Sequence, residues 1–198
     1  QTDAVNAVVD VFKGQVRPAQ DNSYFFDPGR LVPVKTKKAK NTNGYNLFQQ
    51  ELDEQEAKQD IILGYANAPI KLEKVQLLEN IKFIQGNNNI NPSKELIEGQ
   101  GKCSLDIEME TGTGKTYVYI KTMFELNKQY GWNKFIIIVP SVAIREGVKK
   151  SLETMEEHFM SQYGKKARYF IYDSKNLTKI DDFAKSNEIN VMIINNQA

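Results

Sequence analysis

The sequence predicts an α/β fold in which a parallel sheet is built from β-α-β units, and three features of its second half support this. The run FIIIV at 135–139 is continuously apolar, as expected of a strand buried on both faces. Amphipathic helices are predicted on either side of it, over 117–130 and 148–159. Two further strand-like runs follow at 167–172 and 190–195, so strands alternate with helices.

The first half of the chain carries a shorter helical signal and then weak periodicity. Val5, Val8, Val9 and Phe12 form one apolar stripe on a helix that Gly14 can end. Three prolines interrupt residues 17–44, where we expect irregular structure with edge strands at 24–26 and 31–34.

More helices are predicted between this stretch and the second half. One covers 45–62 and has an acidic centre. Another covers 72–84, with Val75, Leu78 and Ile81 on one face and Gly86 as the residue that ends it. A short helix is expected over 93–97.

The composition excludes some classes of protein. The 198 residues are 40% hydrophobic and 26% charged with a net charge of +1, so no global field attracts DNA or a membrane. With one cysteine no intrachain disulfide can form, and no apolar run is long enough to cross a bilayer. We expect a cytoplasmic protein that does not contact membranes. The chain begins without Met and stops after a strand-like run, which favours a piece of a longer protein.

A glycine-rich loop, METGTGKT at 109–116, stands between a predicted strand at 104–109 and the helix over 117–130. Gly112 and Gly114 allow backbone angles that let several N–H groups converge on phosphate oxygens, next to a helix N-terminus. Lys115 can reach the β- and γ-phosphates of ATP, and the Thr116 hydroxyl can ligate Mg²⁺. These two are the expected catalytic residues. The predicted ATP contacts in the loop are Glu110, Thr111, Gly112, Thr113, Gly114, Lys115 and Thr116.

This loop departs from the usual Walker A pattern at one position. The first glycine of G-x-x-x-x-G-K-[ST] is replaced by Met109. A chance match to the remaining G-x-G-K-[ST] is expected in roughly 1% of chains of this length from average composition. The strand before the loop and the helix after it favour a phosphate-binding loop over a chance turn.

Two polar segments follow predicted strands, at the sheet edge where α/β folds bind ligands. Pro140, Ser141 and Arg145 belong to the first; Ser141 can cap the next helix and Arg145 can bind a phosphate. The second runs from Asn195 through Asn196 to Gln197, amides that can bind a phosphate or cap a helix. An ordinary strand–helix turn with a surface arginine is the alternative for the first segment.

Other candidates favour structural roles. The lysines between 35 and 40 and the acidic residues between 51 and 56 are typical of a solvent-exposed surface. His158 has no second histidine and no cysteine pair near it in sequence, which argues against a metal site or a thiol–imidazole pair.

Three stretches give the sequence a family resemblance: DIEMETGTGKTYVY at 106–119, FELN at 124–127 and FIIIVPSVAIREGV at 135–148. The chain resembles the N-terminal part of the restriction (Res) subunit of type III restriction–modification enzymes, which are superfamily 2 helicase-like motors. Residues 100–198 carry the resemblance most closely, and methionine at the first loop position is usual in that family. The opening helix, QTDAVNAVVDVF, is similar to the family's Q-type helix.

The resemblance implies a RecA-like P-loop NTPase lobe with a parallel sheet, interrupted by an insertion between the first helix and the P-loop. Residues 1–14 would form the Q-motif-like helix, 15–100 the insertion, and 101–198 an ATP-binding lobe that stops before the Walker B motif. It makes Gln1 the adenine reader and makes Pro140, Ser141, Arg145, Asn196 and Gln197 contacts to double-stranded DNA. It also implies a methyltransferase (Mod) partner, which alone would use S-adenosylmethionine, and a nuclease domain in the full-length protein.

The expected function is therefore the ATP-binding part of a DNA-dependent motor in a type III restriction endonuclease. No D-E-x-x Walker B sequence follows Lys115, so we expect this chain alone to be inactive in hydrolysis while its parent is an ATPase and site-specific deoxyribonuclease. Two alternatives stay open: the motor of another superfamily 2 translocase, from type I restriction or DNA repair, and a P-loop nucleotide-binding module without a DNA role.

Overall fold

The computed structural model describes residues 1–18, 25–27, 64–97, 101–174 and 178–196. In chain order the elements are α1 Thr2–Asp10, β1 Phe25–Asp27, β2 Gly64–Ala66, α2 Lys74–Asn87, α3 Lys115–Tyr130, β3 Lys134–Val139, α4 Val142–Thr154, α5 Glu156–Tyr163, β4 Ala167–Ile171, α6 Thr178–Lys185 and β5 Ile189–Asn195. The α/β class predicted from the sequence is confirmed.

The central feature of the described chain is a parallel three-stranded sheet in the order β3-β5-β4. Val191 of the middle strand lies opposite Phe135 on one side and Tyr169 on the other. β1 and β2 form a separate antiparallel pair. Crossover helices between parallel strands are the arrangement that the alternating pattern predicted.

One face of the sheet is covered by α3, α4 and α5, and the core lies there. Val191 and Ile193 of β5 are fully buried in it. The aromatic rings of Phe124 and Phe159 stack at 4.7 Å, which joins α3 to α5. This sheet core consists of Ile120, Met123, Phe124, Val139, Val148, Leu152, Phe159, Ile189, Val191 and Ile193.

A second core lies on the other side of α3, where α1 and α2 pack. The predicted stripe of α1 is confirmed at Val5 and Val9, which are 1% exposed. The Tyr130 hydroxyl donates to the Val9 carbonyl at 3.0 Å, which joins the end of α3 to α1. This helical core consists of Val5, Val9, Val11, Phe12, Leu72, Leu77, Val118, Tyr130 and Trp132.

The direction of α3 decides where the glycine-rich loop lies. The C-terminal end of α3 leads through three residues into the start of β3, and its side packs on β5. A helix of 16 residues spans about 24 Å, comparable with the length of the strands. The N-terminus of α3, with the loop before it, therefore lies at the carboxyl edge of the sheet, where β3 and β5 also end.

Several predicted elements were wrong. Residues 104–109 form no strand, because within the described residues they have no ladder partner. Residues 93–97 form no helix. The Gln85 side-chain amide instead donates to the Ser93 hydroxyl, and its oxygen accepts a hydrogen bond from the Ser93 backbone N–H. The single helix predicted over 148–159 is two helices that meet at Met155.

Burial also differs from the prediction in two places. β3 is not buried on both faces, since Ile136 and Ile138 are 56% and 70% exposed. In α2, Val75 is 69% exposed and Leu77 is the buried residue.

The end of α2 differs as well. The helix continues through Gly86 to Asn87, and Asn89 takes the left-handed conformation with φ 57°. The predicted strand at 31–34 and helix at 45–62 lie outside the described residues, as does most of the expected insertion at 15–100.

Candidate nucleotide and DNA site

The glycine-rich loop has the backbone that its two glycines permit. Gly112 and Gly114 have φ values of +84° and +88°, both in the left-handed region. Gly114 stands directly before α3, and no side chain caps that helix end. The N–H groups of the first turn of α3 thus point toward the loop without a side-chain acceptor, which is the arrangement that favours an anion.

Lys115 lies over the loop that precedes it. Its ammonium donates to the carbonyl oxygens of Met109 and Glu110 at 2.7 and 2.9 Å. The Thr113 hydroxyl donates to the same Glu110 carbonyl at 2.6 Å. These bonds hold the loop in a closed turn and keep the Lys115 charge at its centre, within reach of a phosphate on the loop.

Gln1 lies against the loop, although 112 residues separate it from its partner in sequence. Its side-chain amide donates to the Thr113 carbonyl at 2.9 Å. A Cβ atom on Gly114 would lie 2.4 Å from the Gln1 amide nitrogen. The packing of α1 on α3 brings the two together and holds Gln1 against the glycine-rich loop.

Two tyrosines follow the loop on α3. Burial raises the pKa of Tyr119, and the Thr116 side chain partly offsets that rise. The Tyr119 hydroxyl is nevertheless fully buried without a hydrogen-bond partner. It is the one such side-chain atom among the described residues. The Tyr117 hydroxyl lies 3.1 Å from the Nε2 atom of His158. The spacing of these residues in the sequence did not predict this contact.

The first of the two predicted polar segments begins at the end of β3. Ser141 caps α4, and its hydroxyl accepts a hydrogen bond from the Ile144 N–H at 3.4 Å, as predicted. Arg145 in the first turn donates to the Asn195 side-chain oxygen at 3.0 Å. Pro140 and Asn196 are exposed, while Gln197 lies outside the described residues.

The structure thus brings the predicted residues to one edge of the sheet. Asn195 lies directly opposite Val139 in the ladder, and the Asn196 N–H donates to the Val139 carbonyl at 3.0 Å.

Among the described residues no group of three His, Cys, Asp or Glu side chains could hold a metal ion. Thr116, in the first turn of α3, is the residue here that could contribute one Mg²⁺ ligand beside phosphate oxygens. No helix in the described ranges has the length and apolarity needed to cross a membrane.

Known proteins are similar to this chain in sequence. The family model for the Res subunit of type III restriction enzymes matches residues 70–198. The chain is 40% identical over 147 residues to the Res subunit of EcoP15I from Escherichia coli, covering 66% of this chain and 15% of that protein. It is 36% identical over 167 residues to the Res subunit of EcoPI from Escherichia phage P1, covering 76% of this chain and 17% of that protein. The chain therefore belongs to the family of type III restriction enzyme Res subunits.

Proposed function

We propose that the chain is the ATP-binding part of a RecA-like, DNA-dependent motor in a type III restriction endonuclease. The motor would couple ATP hydrolysis to DNA translocation or switching before the full-length protein cleaves DNA. The observation that carries the proposal is the loop at the start of α3. Two left-handed glycines, an uncapped helix N-terminus and the Lys115 ammonium converge there.

The residues of the loop fit Mg²⁺–ATP. The N–H groups around Gly112 to Thr116 would hold phosphate oxygens, and Lys115 would exchange a carbonyl partner for the β- and γ-phosphates. The Thr116 hydroxyl would be a ligand of Mg²⁺, which neutralises phosphate charge when bound. Gln1, already on the Thr113 carbonyl, would read adenine with its remaining polar atoms.

The carboxyl ends of β3 and β5 supply the proposed DNA surface. Pro140, Ser141 and Asn196 lie there with the first turn of α4, and Gln197 follows in sequence. Polar groups and a helix N-terminus at such an edge suit the phosphate backbone of double-stranded DNA, which fixes position without reading sequence. The printed names of the relatives describe restriction–modification enzymes, so we extend the proposal to a methyltransferase (Mod) partner that alone uses S-adenosylmethionine.

Hydrolysis is proposed for the full-length protein. Phosphoryl transfer needs a metal-holding carboxylate and a positioned water besides the P-loop. The chain spans 15% and 17% of the length of the two relatives above. The test therefore uses the full-length protein.

The experiment measures ATP turnover by the full-length protein with and without duplex DNA, alone and with its methyltransferase. Lys115→Ala is the inactive reference and should also abolish ATP binding by calorimetry, at least a ~100-fold loss, because a charged hydrogen-bond donor to phosphate is removed. Lys128→Ala, at the exposed opposite end of α3, is the matched control and should behave as wild type.

The possible outcomes distinguish between the three candidate functions. Strong stimulation that needs both DNA and the methyltransferase supports the type III motor. Stimulation by DNA alone favours another translocase, and no effect of DNA would leave a nucleotide-binding module. Unchanged affinity of Lys115→Ala for ATP would overturn the assignment of the loop.

A further inference from the structure

Each of the three guanidinium nitrogens of Arg145 donates a hydrogen bond within the protein. Nη1 donates to the Asn195 side-chain oxygen at 3.0 Å. Nε and Nη2 both donate to one carboxylate oxygen of Glu146, at 3.3 and 3.0 Å. The Arg145 side chain is 21% exposed, against 51% for Glu146. Three of its five N–H groups are therefore directed toward β5 and the neighbouring carboxylate.

The partner of Arg145 is a buried group at the end of a central strand. Asn195 is 6% exposed and is the last residue of β5. It pairs with Val139 at the end of β3, and the next residue, Asn196, donates its N–H to the Val139 carbonyl. Arg145 adds a side-chain bond to this backbone pairing. Together the bonds tie the segment after β3 and the segment after β5 into one unit.

We infer that Arg145 is a positioning residue for DNA, which acts through Asn195 by fixing the two polar segments relative to one another. The inference rests on the proposed function and specifies how Arg145 contributes to DNA binding. DNA phosphates are then held by the groups that this unit presents, including the first-turn N–H groups of α4 and the amide of Asn196. Losing the Arg145–Asn195 bond leaves only the backbone pairing between the segments, so the first turn of α4 is held less firmly against β5. DNA binding is then weakened without removing a phosphate contact.

The distinguishing measurement is the dependence of DNA affinity on salt. Removing a direct phosphate contact lowers the slope of log affinity against log salt by about 1. Removing a positioning bond lowers affinity at every salt concentration and leaves the slope unchanged. We expect Arg145→Ala and Asn195→Ala each to raise the dissociation constant for duplex DNA by ~10-fold, as for one hydrogen bond to a charged group. The double variant should lose no more than either single one, because both remove the same bond.

The assay uses the full-length protein with its methyltransferase and a duplex DNA. The DNA concentration for half-maximal ATP turnover should rise in both variants, while the maximal rate and the KM for ATP remain those of wild type. A general structural defect would change the last two. Asn195→Asp keeps an acceptor for Arg145, so its melting midpoint should lie nearer to wild type than that of Asn195→Ala. Lys149→Ala removes an exposed cation from the same helix, in a pair with Glu153, and controls for charge alone.

Three results would overturn the inference or its basis. A slope lowered by about 1 in Arg145→Ala, with normal binding by Asn195→Ala, would make Arg145 a direct phosphate ligand. Additive losses in the double variant would show that the two residues act separately. Failure of the wild-type protein to bind DNA or respond to it would refute the proposed function itself.

Discussion

At the scale of single residues, the glycine-rich loop before α3 depends on two glycines that differ only in their surroundings. Gly112 and Gly114 share a left-handed conformation, with φ +84° and +88°. A Cβ at Gly112 meets nothing within 4 Å, whereas one at Gly114 would lie 2.4 Å from Gln1 Nε2. Gly112 is thus needed for its backbone angle, and Gly114 for its angle and for the close approach of Gln1.

This difference predicts unequal effects of the same substitution. Gly112→Ala should lower the free energy of unfolding by about 1–2 kcal/mol, the cost of a left-handed non-glycine residue. Gly114→Ala should cost more, because the Gln1 side chain must also leave the Thr113 carbonyl. In a Gln1→Ala background the two substitutions should cost the same. Urea unfolding of the chain measures all five variants, and an equal cost in the wild-type background would contradict the role of Gln1.

At the scale of elements, Lys134 joins β3 to α6. Its ammonium donates to the carbonyl oxygens of Phe183 and Ser186 at the end of that helix. It also lies 5.2 Å from the centre of the Phe183 ring. Burial lowers the pKa of Lys134 to about 8. The helix C-terminus stabilises the positive charge of the Lys134 ammonium, while partial removal of the ammonium from water destabilises that charge.

The lowered pKa predicts how stability changes with pH. An unfolded lysine has a pKa of about 10.4, so between about 8 and 10.4 the unfolded chain binds more protons than the folded chain. The contribution of Lys134 to the free energy of unfolding should therefore rise with pH through that window and stay constant below it. Urea unfolding from pH ~7.5 to ~9.5 should show a slope in the difference between wild type and Lys134→Met. A constant difference would show that the pKa of Lys134 is not lowered.

At the scale of the whole molecule, α3 is shared by both hydrophobic cores. Ile120, Met123 and Phe124 belong to the sheet core, whereas Val118 and Tyr130 belong to the helical core. Two cores that share one helix cannot lose their packing independently. We therefore expect the described regions to unfold together.

The single tryptophan allows this coupling to be tested. Trp132 lies in the helical core, and its indole N–H donates to the Ala68 carbonyl at 2.9 Å. Ile193→Ala removes a fully buried side chain from the sheet core and should cost about 2–5 kcal/mol. The Trp132 fluorescence transition should shift by the same amount as the far-UV circular dichroism. Ile136→Ala, at a position 56% exposed on the same sheet, should cost less than about 1 kcal/mol. Separate transitions in the two signals would refute the coupling.

Local patterns predicted the glycine-rich loop and most elements around the sheet. The spacing of glycine, lysine and threonine at 112–116 implies a phosphate loop because backbone angle, charge and hydroxyl are all encoded within five positions. β4, β5, α1 and α3 were also predicted, since each has one clear apolar period. The face predicted for α2 was right at Ile81 and wrong at Val75, because apolar residues at 75, 77, 78, 81, 83 and 84 surround the helix, and packing against α1 selects Leu77.

By itself the sequence determined the local groups of the candidate site: a glycine-rich loop with a lysine, a capped α4 and polar amides after β5, each set by neighbours a few residues apart. Only the tertiary structure decided which of these groups meet. Gln1 reaches the Thr113 carbonyl because α1 packs on α3, and Arg145 reaches Asn195 because β3 and β5 are adjacent parallel strands that end together. Such contacts join residues 50 to 112 positions apart, and they arise from burial of apolar faces, which a local pattern can suggest but cannot pair.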